Sequence, residues 1–207
     1  MITNVYVDGF NLFYGALRRS PYRWLDLGAL ARTLLPRDDI HQIRYFTARV
    51  TNRPDDPAKA QRQDAYLRAL RTIPNLTVHL GHYLTSTVRM PLAAPEPGGA
   101  RTVEVIKTEE KGSDVNLATY LLLDAFRRDC QVAVLLTNDS DLKEPITVAQ
   151  RDLGLVVGVV NPHPPSRRSR ALQASFFKQL RPGALARSQF AQVLEDRNGK
   201  IHKPPGW

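Results

Sequence analysis

The strongest constraint on the fold is an alternation of short strand-like runs with segments of helical spacing. The strand-like runs, mostly rich in valine, leucine and isoleucine, lie at residues 2–7, 40–50, 76–84, 131–138 and 155–162. The segments with helical patterns lie between them at residues 11–19, 26–35, 56–73, 113–129 and 141–153. Since apolar strands that alternate with helices form βαβ units, the pattern predicts a mostly parallel sheet covered on both faces.

The remaining segments have weaker patterns. Residues 101–112 predict one more strand followed by a turn, and the Pro/Gly-rich residues 90–100 predict a loop. Residues 166–180 predict a basic terminal helix, and the end at residues 195–207 predicts a tail with one turn. We therefore expect a domain at residues 1–180 and a tail or short extension at residues 181–207.

Length and composition suit one folded domain. The chain has 207 residues, of which 43% are hydrophobic, enough for a proper core. The single cysteine, Cys130, cannot form an internal disulfide, which indicates a reducing compartment. The sequence has no signal-peptide pattern and no apolar run of about 18 residues, so we expect a cytoplasmic protein that does not enter a membrane.

The charge balance indicates a polyanionic partner. Lysine and arginine number 29 against 20 acidic residues, which gives a formal net charge of +9 and an isoelectric point near 10.0. Such a balance favours binding to nucleic acid, although a basic protein without a polyanionic partner is the alternative.

Acidic and amide side chains follow the predicted strand ends. Asp8 ends the first run and Asn11 follows it, while Asp139 and Asp141 follow the run at 131–138 in the stretch TNDSDL. Asp114 lies in the first turn of the helix that begins after EEKG. In parallel sheets, sites form outside the carboxyl ends of the strands, so one fold can bring these side chains together.

Each of these acids alone has a structural explanation, because aspartate often caps a helix or begins a turn. Together, however, several carboxylates in partial burial would repel one another and raise one another's pKa. A hard divalent cation, Mg²⁺ or Mn²⁺, removes that penalty. Such a cation lowers the pKa of a coordinated water and stabilises charge on phosphoryl oxygens, which is the chemistry of phosphodiester cleavage; one or two ions remain open.

Other side chains are candidates for substrate contacts. Asn11 could orient substrate or water, Lys111 beside Gly112 could contact the scissile phosphate, and Thr137 is a supporting group. The candidate phosphate contacts are Arg18, Arg19, Arg23, Arg49, Arg53, Arg167, Arg168 and Arg170. The aromatic side chains that could stack on bases are Tyr14, Tyr22 and Trp24. The alternative is that the charged runs are solvated surfaces and that Tyr14 belongs to the core.

Three motifs resemble those of a known family. VYVDGFNLFYG resembles the D-G-x-N opening of NYN domains, which are PIN-like nucleases. KGSDVNLATYLLLDAF is similar to their K-G-x-D helix start, and LLTNDSDLKEPI resembles their strand end with two aspartates. The resemblance extends over about residues 2–180, and GKIHKPPGW resembles the tail of the DUF88/LabA-like subgroup. One departure is Pro145, which stands four residues after Asp141 where many LabA-like members have it after three.

The resemblance implies a three-layer α/β/α, Rossmann-like PIN-type fold with a mainly parallel sheet of strand order 3-2-1-4-5. It also implies a divalent-metal ribonuclease. The residues implied for its site are Asp8, Asn11, Asp114, Asp139 and Asp141. Single-stranded RNA is then the expected partner, and a homodimer is left open.

Two other functions compete with the ribonuclease. A binding module of the same fold would hold RNA for a partner without cleaving it, although an unused site would be expected to lose carboxylates. A phosphatase of the haloacid dehalogenase type needs a second aspartate two residues after the nucleophile, where Phe10 stands. His79 and His82 lie on opposite faces of a predicted strand, so a metal shared by the two is not expected.

Overall fold

Seven strands form a central sheet. They are β1 (Ile2–Asp8), β2 (Asp39–Ala48), β3 (Leu76–Pro91), β4 (Thr102–Lys111), β5 (Val132–Leu136), β6 (Val156–Asn161) and β7 (Phe176–Gln179). The computed structural model describes residues 1–52 and 54–207, so Arg53 lies outside the described residues. The sheet order is β4-β3-β2-β1-β5-β6-β7, and only the β3–β4 pairing is antiparallel. The predicted order 3-2-1-4-5 corresponds to β3-β2-β1-β5-β6, with β4 and β7 added at the two edges.

Helices connect most of these strands. They are α1 (Gly9–Leu12), α2 (Leu27–Leu34), α3 (Lys59–Leu70), α4 (Ser113–Arg127), α5 (Lys143–Arg151) and α6 (Pro182–Arg187). A π-helical turn at Phe13–Leu17 continues α1, and a 3-10 turn at Ser140–Leu142 leads into α5. A small hairpin of β8 (Val193–Asp196) and β9 (Gly199–His202) follows α6.

The core has two halves, one on each face of the sheet. In β1, Val5 and Val7 face the half that contains Leu30 of α2 and Leu67 of α3. Tyr6 faces the opposite half, which contains apolar side chains of α4 and α5. This alternation follows from the two-residue period of a strand. The predicted mixed α/β architecture of three layers is therefore confirmed.

Local sequence signals explain where the helices begin. The side chain of Asp26 accepts a hydrogen bond from the Ala29 N–H at 2.9 Å and so caps α2. Gly112, immediately before α4, has a φ of +97°, which a residue with a side chain rarely adopts. Pro145 lies in the first turn of α5, where helical N–H groups have no partner within the helix.

The helix predicted at residues 166–180 is wrong. This segment contains a 3-10 turn at Pro165–Arg167 and then β7, which pairs in parallel with β6. Phe176 packs with the half of the core that contains α2, whereas Phe177 packs with the half that contains α5. Gly158 of β6 leaves the space that the Phe176 ring occupies, since a Cβ atom there would overlap the ring.

The residues after 180 pack against the domain. Leu185, Phe190 and Ile201 are buried in the α2 half of the core, and Arg68 of α3 forms an ion pair with Asp196 at 2.7 Å. The division of the chain at residue 180 stays a prediction. Within residues 1–52 and 54–207, no helix has both the length and the apolar character needed to cross a bilayer.

Candidate metal centre

Three of the predicted acids converge at the carboxyl edge of the sheet. Asp8 ends β1, Asp114 lies in the first turn of α4, and Asp139 follows β5. Each offers a carboxylate oxygen, and these oxygens lie within 4.8 Å of one another. Asp8 is 3% exposed, while Asp114 and Asp139 are partly buried. The strand ends therefore meet as the sequence predicts for a parallel sheet.

A chain of hydrogen bonds ties two of these acids together. Asp8 accepts from the Asn11 N–H at 2.9 Å through Oδ1 and from the Thr137 hydroxyl at 3.0 Å through Oδ2. The Thr137 hydroxyl in turn accepts from the Asp139 N–H at 3.1 Å. Asp139 accepts from the Asp141 N–H at 3.0 Å. The acids thus serve as caps and as members of one cluster at the same time.

The electrostatics of the cluster favour a cation. Burial raises the pKa of Asp8, although its hydrogen bonds from Asn11 and Thr137 act in the opposite direction. Burial, followed by the charges of Asp8 and Asp139, raises the pKa of Asp114 to about 7. Carboxylate oxygens are the ligands that Mg²⁺ and Mn²⁺ prefer. These three side chains therefore fit a hard divalent cation, which would offset both the burial and the repulsion that raise the pKa of Asp114.

Asn11 and His163 form a polar contact beside the acids. Asn11 Oδ1 accepts from the Asn138 N–H at 3.1 Å and lies 3.1 Å from His163 Nε2. Because an amide oxygen only accepts, this second bond requires the histidine tautomer with a proton on Nε2. Sequence reasoning missed His163. The signal that could have found it is its position just after β6, a further strand end at the same edge.

Two other predicted site residues lie at the margin of the cluster. Asp141 is exposed and is not among the three acids that meet within 4.8 Å. Lys111 is exposed and forms an ion pair with Glu109 at 3.4 Å. Its neighbour Glu110, which the sequence did not single out, accepts from the Ser113 N–H at 3.0 Å and from the Ser113 hydroxyl at 2.7 Å. Glu110 thereby fixes the start of the helix that carries Asp114.

The basic segment at residues 166–170 lies beside the stretch TNDSDL. The Asn138 side chain donates to the Arg167 carbonyl at 2.9 Å and accepts from the Ser169 N–H at 2.7 Å. The Arg168 guanidinium lies over the Phe177 ring, 4.6 Å from its centroid. This segment brings positive charge to the margin of the acidic cluster.

The other basic and aromatic candidates are more scattered. Arg18 and Arg19 are exposed at the end of the π-helical turn, and the exposed Arg49 forms an ion pair with Asp64. Trp24 has no exposed surface, so its predicted stacking on RNA bases is wrong. Tyr14, in contrast, is exposed and lies beside the Arg18 guanidinium.

Comparisons with known proteins agree with this fold and these motifs. The model of the NYN domain matches residues 2–179. A similar protein, 6-hydroxy-3-succinoylpyridine 3-monooxygenase HspA of Pseudomonas putida (strain DSM 28022 / S16), is 31% identical over 236 residues. That match covers 99% of this chain and 75% of the relative.

A similar crystal structure is that of VPA0982, a protein of unknown function from Vibrio parahaemolyticus RIMD 2210633. Its TM-score is 0.53 at 18% sequence identity, and the match covers 87% of this chain and 94% of the other. At this identity the likeness shows the fold alone. The family match extends from the start of β1 to the end of β7 and includes all three acids of the cluster. The chain therefore belongs to the NYN domain family, a family of the PIN-like nuclease type.

Proposed function

We propose that this protein is a ribonuclease that depends on a divalent metal and hydrolyses phosphodiester bonds of single-stranded RNA in the cytoplasm. The observation that carries the proposal is the convergence of Asp8, Asp114 and Asp139 in a chain with a net charge of +9. An acidic cluster on a basic protein suits a substrate that is itself a polyanion, because the cation and the basic side chains bind different parts of it.

The residues have distinct roles in this proposal. Asp8, Asp114 and Asp139 hold Mg²⁺ or Mn²⁺, and Asp141 lies close enough in the chain to assist them. A bound divalent cation supplies Lewis acidity, which stabilises the charge that develops on the phosphoryl oxygens. Asn11, held by Asn138 and His163, orients substrate or water without adding charge. Thr137 keeps Asp8 in place through its hydroxyl.

The RNA backbone would lie along basic side chains around the cluster. Arg167 and Arg168 lie next to TNDSDL, and Lys111 lies just before the helix that carries Asp114. Arg18, Arg19 and Arg49 extend the positive surface beyond the ends of β1 and β2. Contacts of this kind bind phosphates without reading sequence, so affinity should fall as salt increases. A homodimer stays a prediction.

The test compares the wild-type protein with Asp139→Asn on labelled single-stranded RNA with Mg²⁺, with Mn²⁺ and with EDTA. We expect metal-dependent cleavage that the substitution lowers by more than about 100-fold, since a direct ligand should matter at least as much as the groups that orient it. The matched control is Asp129→Asn, because Asp129 is an exposed acid just before β5 and far from the carboxyl edge.

Two results would contradict the proposal. One is a wild-type protein that cleaves no RNA with either metal, and the other is Asp139→Asn that cleaves as fast as the wild type. RNA that is bound but left uncut by both proteins would instead indicate the alternative, an RNA-binding module of the same fold.

A second candidate function follows from the name of the relative, which oxygenates a hydroxypyridine that carries a succinoyl chain. The observation that favours it is a cavity of about 370 Å³ that is lined in part by aromatic side chains and adjoins Gly9. Ring oxygenation would consume molecular oxygen and two electrons from a reductant. Oxygen uptake with 6-hydroxy-3-succinoylpyridine and a reduced nicotinamide cofactor would therefore identify this activity, and no uptake would dismiss it.

A further inference from the structure

The aromatic cavity is separate from the acidic cluster and has no role in the metal chemistry described above. It lies between the π-helical turn at Phe13–Leu17, the end of β2, α3 and Trp207, and its volume is about 370 Å³. Ligand sites in proteins commonly enclose about 300–1,000 Å³. The cavity is therefore large enough for one small ring compound and too small for a large dinucleotide cofactor.

Aromatic rings form much of the cavity wall. The rings of Tyr45 and Tyr66 meet edge-on with centroids 6.3 Å apart, and Tyr66 meets Trp207 at 5.8 Å. Phe13 and Tyr83 also line the space. Aromatic walls favour a flat ring, which can contact them by offset stacking or edge-to-face packing. Bases stack on such side chains with little sequence preference.

The wall of the cavity also carries a positive charge. Arg23 lines it, and Arg23 Nε is buried without a hydrogen-bond partner among the described residues. Its Nη2 donates to the Arg18 carbonyl at 2.5 Å. By contrast, Arg62 is matched by both carboxylate oxygens of Asp56, at 2.6 and 2.7 Å. No carboxylate pairs with Arg23 among the described residues, so its guanidinium is suited to an anionic group inside the cavity.

The cavity adjoins the acidic cluster through one residue. Gly9 lines the cavity and directly follows Asp8. A Cβ atom at Gly9 would lie 2.8 Å from the Tyr45 hydroxyl oxygen, so this tyrosine of the cavity wall packs directly against Gly9. A ring bound in the cavity would thus lie next to the strand end that supplies Asp8.

We propose that this cavity binds one flat aromatic ring that carries a negative charge, and that the ring is an unpaired base of an RNA nucleotide with its phosphate at Arg23. The aromatic walls indicate that the ligand has a flat ring, and Arg23 indicates that it carries a negative charge. The choice of a nucleotide rests on the proposed ribonuclease function. A free aromatic acid has the same chemistry and is the other source that the experiment must distinguish.

Tryptophan fluorescence can measure this binding directly. The chain has two tryptophans, of which Trp24 is fully buried and Trp207 lines the cavity. The protein is titrated with AMP, with UMP and with nicotinate, all in EDTA, with excitation at wavelengths that the ligands do not absorb. We expect saturable quenching by the nucleotides, and we expect it to disappear in Trp207→Phe, which keeps a ring in the wall.

Arginine variants locate the anion site. We expect Arg23→Gln to weaken nucleotide binding roughly tenfold to a hundredfold, because a hydrogen bond to a charged group is lost. Arg18→Gln, which changes an exposed side chain of the same wall, is a second variant should Arg23→Gln fail to fold. The matched control is Arg37→Gln, an exposed arginine before β2 that should bind as the wild type does.

The outcomes separate the cavity from the ribonuclease. Wild-type protein that no ligand quenches, or binding that Arg18→Gln and Arg23→Gln both leave unchanged, overturns the inference. Quenching by nicotinate alone supports the ring anion and overturns the nucleotide. Asp139→Asn should bind nucleotides as the wild type does. A wild-type protein that binds nucleotides but cleaves no RNA with either metal contradicts only the proposed ribonuclease.

Discussion

At the scale of single residues, the two carboxylate oxygens of Asp8 form hydrogen bonds with two different elements of the fold. One carboxylate oxygen caps the first turn of α1, and the other accepts from Thr137 after β5. Both bonds stabilise the charged form, yet burial still raises its pKa. The hydrogen bonds therefore hold the carboxylate in a fixed orientation, but they do not fully offset the cost of burying its charge. A bound cation would offset that cost.

His163 is expected to act as a positioning residue for Asn11. Replacing it by alanine removes the group that donates to Asn11 Oδ1, and we expect RNA cleavage at saturating metal to fall roughly tenfold or more. His163→Gln, which keeps an N–H donor, should restore part of the single-turnover rate. His202→Ala, at an exposed position in β9, is the control. Alanine and glutamine variants that both cleave at the wild-type rate would show that Asn11 needs no such support.

Gly81 in β3 is expected to control the start of α4. A Cβ atom there would lie 2.5 Å from the Lys111 carbonyl oxygen and 3.0 Å from the Ser113 nitrogen. We expect Gly81→Ala to lower the free energy of unfolding by about 1–3 kcal/mol.

The same substitution should reduce the rise in melting temperature that Mg²⁺ produces, because the displaced helix start carries Asp114. Gly99→Ala is the control, since the nearest atoms to its added Cβ would be 3.4 Å away. Equal metal-induced shifts in the wild type and Gly81→Ala would contradict the link to the acidic cluster.

At the scale of elements, a buried ionic contact joins α4 to the sheet. Asp124 of α4 has no exposed surface and accepts from Arg44 Nε and Nη2 of β2, each at 2.8 Å. Tyr6 of β1 donates to the same carboxylate at 2.7 Å, and the Asn4 side chain donates at 3.3 Å. These partners fix the position of the helix that carries Asp114 relative to the strand that carries Asp8.

Arg44→Met should therefore destabilise the protein strongly. Removing one partner of a buried ion pair leaves an uncompensated charge, and we expect a loss of about 3–5 kcal/mol in a urea unfolding experiment. Arg49→Met is the control, because its ion pair with Asp64 has both side chains more than half exposed and should contribute less than about 1 kcal/mol. A similar loss in the two variants would mean that burial of Asp124 has no energetic consequence.

Most elements could be predicted from the sequence because their apolar patterns extend over enough residues. The segment at 166–180 could not, since Leu172, Phe176 and Leu180 recur every four residues as in a helix. In the folded chain, Phe176 and Phe177 instead pack on opposite faces of the sheet. This packing depends on the space that Gly158 of β6 leaves for the Phe176 ring. Gly158 lies outside residues 166–180, so the local pattern of that segment cannot predict the packing.

The acidic cluster was predictable for a topological reason, whereas the aromatic cavity was not. Asp8 and Asp139 follow strands whose apolar sequences indicate burial, and parallel strands place their carboxyl ends at one edge of the sheet. The cavity combines Phe13, Tyr45, Tyr66 and Trp207, which are far apart in the chain. They line one space because α3 and the final residues pack against the same half of the core. No local sequence pattern predicts that packing.

At the scale of the whole molecule, stability should depend on pH and metal together. The folded state raises the pKa of Asp114 from 3.8 to about 7, so it holds this proton more tightly than the unfolded chain does. In the metal-free protein, the stabilising contribution of this carboxyl should therefore be lost as pH rises from near 3.8 through about 7, with little further change from this group above that.

Melting temperatures at about pH 5 and about pH 8, in EDTA and in Mg²⁺, test this dependence. The wild type should lose more stability than Asp114→Asn between the two pH values in EDTA, and the difference isolates this carboxyl from other titrating groups. Added Mg²⁺ should restore the wild type at the higher pH and have little effect on the variant. Melting temperatures that change equally with pH in the wild type and in Asp114→Asn would contradict the assignment of this pH dependence to Asp114.

The first strand of the chain lies in the middle of the sheet, and this has a consequence for the order of folding events. Asp8 at the end of β1 and Thr137 after β5 are hydrogen-bonded although they are 129 positions apart. Such distant contacts form slowly, because the loop between them must close before the contact stabilises it. Asp8 and Asp139 therefore meet only when the centre of the sheet closes. During synthesis, a chain surrounded by RNA and not yet extended past β5 lacks the acidic cluster on which the proposed cleavage depends.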